Sequence, residues 1–409
     1  MPACRLLMGV ASFMIGLILL AACRDQPPPD EPRLRAVTAA HAGTPTVTPL
    51  PTETPQPNGC SIDEITERLI AVPAYMPTEM VPIRLVGNRL MQGEAPFVIR
   101  GLNYYPAEYP LWQFLNVDRA TLAWDMALMA EKHINTIRIF LWDDLLFTCP
   151  GSSAVPMTDQ IKRLDAIIAA AASQRIYLII TLHEQPDPTS PPLYSSPDVT
   201  TIRTRYLVER YKDEPAILAW DLRHGGDADY LGGTIGGIER EHTFERTEVL
   251  EWLFRMSTTV RAIDNQHLIT AGWSQDAGAT FPAVDIVSFQ HWDEPEALYA
   301  RFRDLREHTS KPLLLIGVGY DSKRRNESQQ SIQLRTALNI AEEAIDWGDL
   351  VGWIGWTAFD FAPGSACEPL ACPGGAEDPR HYYGMWRPDR SPKPAANVIE
   401  VLARPRARE

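Results

Sequence analysis

Eight short runs that are apolar on both faces constrain this chain more than any other feature of its sequence. They are Phe97 to Asn103, Asn135 to Trp142, Arg175 to His183, Ala216 to Leu222, His267 to Trp273, Val284 to His291, Lys311 to Gly317 and Val351 to Phe359. A strand with one wet face alternates apolar and polar residues; a strand without that alternation belongs to a parallel sheet covered on both sides. Helical patterns fall between the runs. Asp118 to His133 repeats Leu122, Met126 and Met129, and Thr158 to Gln174 repeats Ile161, Leu164, Ile168 and Ala171 behind an N-cap threonine. Thr200 to Tyr211, Arg246 to Ile263, the stretch opened by Asp293-Glu294-Pro295, Ser328 to Trp347 and Lys393 to Leu402 follow, while the link after the fifth run is short and irregular. Eight such units predict an α/β fold closed as a (β/α)8 TIM barrel. An open doubly wound sheet is the competitor, but Gly101-Leu102-Asn103-Tyr104 is not the glycine-rich phosphate turn such sheets carry. A hairpin over Ile83 to Gln92 should plug or precede the barrel.

The N-terminal part reads differently. Arg5, the apolar run Leu6 to Leu20 and the small residues before Cys23 form a secretory signal over residues 1–23. The run is shorter than the roughly 20 residues a membrane span needs. Leu20-Ala21-Ala22-Cys23 is similar to a bacterial lipobox, which implies lipid attachment at Cys23, anchoring to a membrane and a place in the cell envelope facing outside the cytoplasm; the plainer reading is a signal cut near Ala22. Residues 24–58 hold nine prolines, six threonines and no aromatic side chain, so they cannot bury enough apolar surface to repay ordering and should form a solvated tether. Residues 59–409 are then the barrel.

Of the remaining cysteines, Cys367 and Cys372 sit in one aperiodic loop, which favours their pairing and leaves Cys60 with Cys149. No second close pair or histidine spacing supports a zinc site, so no metal is expected. A net charge of −14 and no local basic patch disfavour nucleic acid as a partner. No serine elbow, HExxH helix, phosphate loop or dinucleotide fingerprint calls for a cofactor. Gly232 to Gly237 is glycine-rich but lacks a lysine, and reads as a turn or a mobile loop.

Barrel chemistry collects at the C-terminal strand ends. In order these offer Asn103-Tyr104, Arg138 with Trp142, His183-Glu184, His224, Trp273, His291-Trp292, Gly317, and Trp356 with Asp360. Aromatic faces stack on the C–H faces of sugars and polar groups between them bind hydroxyls, so this rim suits an oligo- or polysaccharide. Trp220, inside a strand, reads as core.

Several stretches resemble one superfamily. Gly101-Leu102-Asn103-Tyr104-Tyr105, Asn135-Thr136-Ile137-Arg138-Ile139-Phe140, Tyr211 to Leu222, Lys311-Pro312-Leu313-Leu314-Leu315 and Gly355-Trp356 are similar to clan A glycoside hydrolases, most like the family 5 cellulases and mannanases. The resemblance runs from about Pro82 to Leu402. It implies sugar contacts at Asn103, Tyr104, Arg138, His183, His224, His291, Trp292 and Trp356, with Arg138 normally paired to the nucleophile. It also implies two glutamates, an acid/base ending the fourth strand and a nucleophile ending the seventh. Retaining hydrolysis needs that pair about 5–5.5 Å apart.

Both are replaced: Gly225 follows His224 where the acid/base is expected, and Gly317 stands at the nucleophile position. Asp227 and Asp321 are the candidates for relocated carboxylates, with Asp229, Glu184, Asp293 and Glu294 elsewhere on the rim and His224 as a conceivable acid. The sequence therefore points to a tethered, monomeric, glycosidase-like barrel that has lost double displacement and binds a glycan. An active glycosidase with displaced carboxylates and an envelope scaffold remain the alternatives. Arg138, deprived of its usual carboxylate, is expected to find an aspartate, water or a bound anion.

Overall fold

The computed structural model describes residues 60–149, 154–184, 193–235, 238–240, 243–367 and 374–405. The expected signal, the expected lipid-attachment position Cys23, the expected tether and Cys372 lie outside the described residues. Eight parallel strands form the centre: β1 (Ile99–Asn103), β2 (Thr136–Phe140), β3 (Tyr177–Thr181), β4 (Ile217–Asp221), β5 (Leu268–Thr270), β6 (Val287–His291), β7 (Leu313–Val318) and β8 (Leu350–Gly355). Their order is β5-β4-β3-β2-β1-β8-β7-β6. The gap between β5 and β6 is bridged by Trp273 with Phe289, and by the amides of Asp285 and Gln290 donating to Ile269 and Trp273 carbonyls at 2.8 Å. The chain is a (β/α)8 barrel, as the eight two-faced apolar runs predict.

Helices cover the outside: α1 (Arg119–Glu131), α2 (Thr158–Ser173), α3 (Pro197–Tyr211), α4 (Arg246–Arg261), α5 (Ala297–His308), α6 (Glu327–Trp347) and α7 (Pro394–Ala403). Asp118 caps α1 by accepting from the Ala120 and Thr121 amides. Between β5 and β6 stands only a 3-10 turn, Ala277–Thr280.

The Ile83–Val86 and Arg89–Gln92 hairpin gains a third strand, Ala95–Phe97, so Phe97 belongs to this small sheet and the barrel strand starts at Ile99. Ile83 and Leu90 pack with Ile99, Ile179, Leu218, Leu314 and Ile354, which stops the N-terminal end of the barrel. Tyr177 locks the plug, its hydroxyl donating to Val81 O at 2.6 Å and accepting from Gln92 Nε2 at 2.6 Å. Sealing that end leaves the opposite end for ligands.

Two further elements depart from the sequence reading. A helix over Ile62–Ala71 precedes the plug. The glycine-rich stretch after β4 forms an antiparallel ladder, Gly233–Ile235 with Ile238–Arg240. A disulfide joins Cys60, just before the first helix, to Cys149 after β2, with Cα atoms 5.4 Å apart. Cys367 is also disulfide-bonded.

Candidate functional site

The top inner layer of the barrel is polar. Alternation along the strands turns Asn103, Arg138, Thr181 and Asp221 inward from β1 to β4, and all four are fully buried. Arg138 Nε donates to Asp221 Oδ2 at 2.9 Å and to Thr181 Oγ1 at 3.1 Å, and Nη2 reaches the same carboxylate at 2.5 Å. Asp221 also accepts from Thr181 Oγ1 and from the Gly272 amide. The guanidinium thus has a carboxylate inside the barrel, on β4. It leaves no room at Gly272, where a Cβ would stand 2.5 Å from Nη2. Asn103 Nδ2 donates to the Ile316 and Gly355 carbonyls, fixing β1 against β7 and β8.

Above this layer lies an aromatic mouth. Tyr105 stacks on Phe140 with centroids 4.9 Å apart, and Trp356 meets both edge-on at 6.2 and 5.9 Å. His224 tilts against Phe140 and Trp356, and Trp292 touches Trp356 at 6.0 Å. His224 Nδ1 lies 2.9 Å from Glu184 Oε2, both residues buried. Burial pushes the Tyr105 phenol well up; the Glu184 carboxylate adds to this, while Arg138 and the Trp142 indole oppose it. The Tyr105 hydroxyl and Trp142 Nε1 are both buried, and the Tyr105 O–H finds no acceptor among the described residues.

Gly225 and Gly317 stand at the two positions where the resemblance leads one to expect glutamates. Gly225 adopts φ +59°, a left-handed conformation that a glutamate would adopt only under strain, and its amide donates to Gly272 O at 2.9 Å. Gly317 lies beneath Gln290, whose Cγ would be 3.2 Å from an added Cβ.

The relocation candidates are engaged elsewhere. Asp227 accepts from the amides of Ser274 (3.0 Å) and Asp276 (2.9 Å), tying the β4 loop to the β5 loop. Burial pushes its carboxyl up, only partly offset by these backbone donors. Asp321 accepts from the Arg324 amide at 2.7 Å and lies 3.3 Å from Arg325 Nη1. Asp229 pairs with Arg223 at 2.9 Å and accepts from Tyr194. Asp360 is raised to about 6 by burial, against the pull of Lys393 bound at 3.0 Å, and serves to hold the C-terminal segment on β8.

Not every expected sugar contact faces the mouth. Tyr104 is fully buried and donates at 3.0 Å to Asp125 on α1, which also binds Arg390; it is a strut between barrel and helix layer, because its neighbours on the strand take the inward direction. His183 is held by Thr204 on α3 at 2.8 Å and by Asp143 at 3.3 Å, with Trp252 edge-on. Burial pushes the Asp143 carboxyl up, but His183 and Arg203 outweigh it and hold it below the usual range. His291 Nε2 meets its own loop at Glu294 O, 3.0 Å, and burial lowers its pKa. Asn103, Arg138, His224, Trp292 and Trp356 are the expected residues that form the layer and the mouth. Asp221, Gln290, Tyr105 and Phe140 join them. Among the described residues no cluster of three or more His, Cys, Asp or Glu could hold a metal ion.

Residues 95–291 match the family model described as cellulase (glycosyl hydrolase family 5). Short stretches match two curated proteins. Mannan endo-1,4-beta-mannosidase 1 of Solanum lycopersicum is 32% identical over 74 residues, 18% of this chain and 15% of that protein. Probable mannan endo-1,4-beta-mannosidase C of Aspergillus terreus is 32% identical over 100 residues, 22% of this chain and 23% of that protein. The chain thus matches less than a quarter of the length of either relative. A GH5_18 variant from Streptomyces cattleya in complex with Manβ1-4GlcNAc superposes with a TM-score of 0.59 at 15% identity, covering 74% of this chain and 79% of that one. Over residues 95–291 the chain is similar to glycoside hydrolase family 5, short stretches are similar to two mannosidases, and its fold is a (β/α)8 barrel.

Proposed function

We propose that this chain is a family 5-like barrel that binds a glycan at its mouth and does not carry out double displacement, held at the cell surface through lipid at Cys23 and the tether that follows. The observation that carries the reading is the state of the two expected carboxylate positions: Gly225 with φ +59° and Gly317 packed under Gln290. Neither can supply an acid or a nucleophile, and Arg138 already has Asp221 at 2.5 Å. The candidates for relocation support hydrolysis poorly, since Asp227 and Asp321 accept hydrogen bonds from backbone amides that fix their own loops.

Binding is supported by what remains. Trp356 stands among Tyr105, Phe140, His224 and Trp292 at the C-terminal end of the barrel, and the buried Tyr105 hydroxyl, which the Trp142 indole approaches as a donor, has no acceptor for its own proton among the described residues. A buried donor left unsatisfied costs about 1–3 kcal/mol, and a sugar hydroxyl would recover it. Titration calorimetry with β-1,4-mannotetraose and cellotetraose tests this. The expected result is saturable binding of at least one, weakened tenfold or more by Trp356→Ala; binding of neither, at millimolar sugar, contradicts the reading.

A further inference from the structure

A bulge at Ile316 on β7, opposite the step from Phe289 to Gln290 on β6, brings Gln290 into register with Gly317. Its side chain lies across the glycine: an added Cβ would be 3.2 Å from Gln290 Cγ and 3.6 Å from its Cβ and Cδ. The first of these is closer than side chains ordinarily pack, so any residue larger than glycine requires Gln290 to yield. It is not placed to yield easily. Nε2 donates to Gly272 O at 2.6 Å and Oε1 accepts from Trp292 Nε1 at 3.2 Å, with the residue 3% exposed. One end therefore holds the β5 backbone that Arg138 packs against, and the other holds an indole that touches Trp356. The two bonds use one of the amide's two N–H groups and one of its two acceptor sites.

Losing a carboxylate from this point should leave a void and an unpaired guanidinium. Neither is present: Asp221 neutralises Arg138 and Gln290 fills the volume. We propose that Gln290 has taken the place of the strand-seven side chain and presents a neutral amide to a hydroxyl of the bound sugar, making it a specificity-determining residue of the mouth. This rests on the glycan-binding reading above. A site built to hydrogen-bond a hydroxyl discriminates strongly against a ligand lacking it.

Two experiments on the full chain decide the matter. The first is a stability cycle of Gly317→Ala, Gln290→Ala and the double variant. Gly317→Ala alone should lower Tm, and its cost should fall by at least half where Gln290→Ala has removed the overlying Cγ and amide. Additive costs would show that Gln290 does not hold this position. The second is titration of β-1,4-mannotetraose and cellotetraose with Gln290→Met, which keeps the volume and loses the amide. Whichever sugar the wild type binds should bind tenfold or more weakly, with far-ultraviolet circular dichroism unchanged; unchanged affinity overturns the recognition role. If the wild type binds neither sugar, it is the glycan reading that fails, and the recognition role falls with it, while the stability cycle still decides what fills the space over Gly317.

Discussion

Asp221→Ala should destabilise the fold by about 3–5 kcal/mol, the usual cost of stranding one member of a buried ion pair. Arg138 and Asp221 are both fully buried, and their charges meet at 2.5 Å in the centre of the barrel. The carboxylate also accepts from Thr181 and from the Gly272 amide, so alanine would leave a cation, a hydroxyl and a backbone N–H to be satisfied together. Denaturant unfolding at neutral pH measures the loss. Pairing Asp221→Leu with Arg138→Met should cost less than Asp221→Ala alone, because two desolvated charges disappear together. A double variant as unstable as the single one would mean that packing, not charge, dominates this layer.

The Cys60–Cys149 disulfide is expected to contribute about 4–5 kcal/mol in the chain-entropy account, given a loop of this length. The two cysteines are 89 residues apart, and the closed loop contains the N-terminal helix, the barrel plug, β1, α1 and β2. Cutting it should free the segment before β1 most. That segment is otherwise pinned by Tyr75 and Thr78, which bond to Glu214 at the foot of β4. The measurement is unfolding of a Cys60→Ser/Cys149→Ser double variant, which spares Cys367. Stability within about 1 kcal/mol of wild type would contradict the estimate.

The barrel was legible because a strand covered on both faces leaves an unambiguous mark, and eight such marks with helices between them admit few topologies. The first helix was legible as well, though the sequence reading passed over it: Ser61-Ile62-Asp63-Glu64 is a capping-box pattern, and Ser61 Oγ accepts from the Glu64 amide at 3.2 Å. Asp221 could have been found from one charge inside the run Ala216 to Leu222. Gln290 could not, because its position over Gly317 comes from a bulge that shifts register between β6 and β7, and no periodicity records a bulge. Tyr104 shows the same limit in reverse. It shares a motif with Asn103, yet the two point to opposite sides of the strand, one into the barrel and one to Asp125. The aromatic rim was read in kind but not in membership, since Tyr105 and Phe140 enter it by stacking across β1 and β2.

The reading that double displacement is gone has a direct test. Purified chain is incubated for a day with β-1,4-mannotetraose, cellotetraose and their polymers, and the products are separated by anion-exchange chromatography with mass detection. The account predicts no shorter oligosaccharide above the no-protein control. Release of shorter sugars by the wild-type chain, abolished by Asp227→Asn or Asp321→Asn, would contradict it.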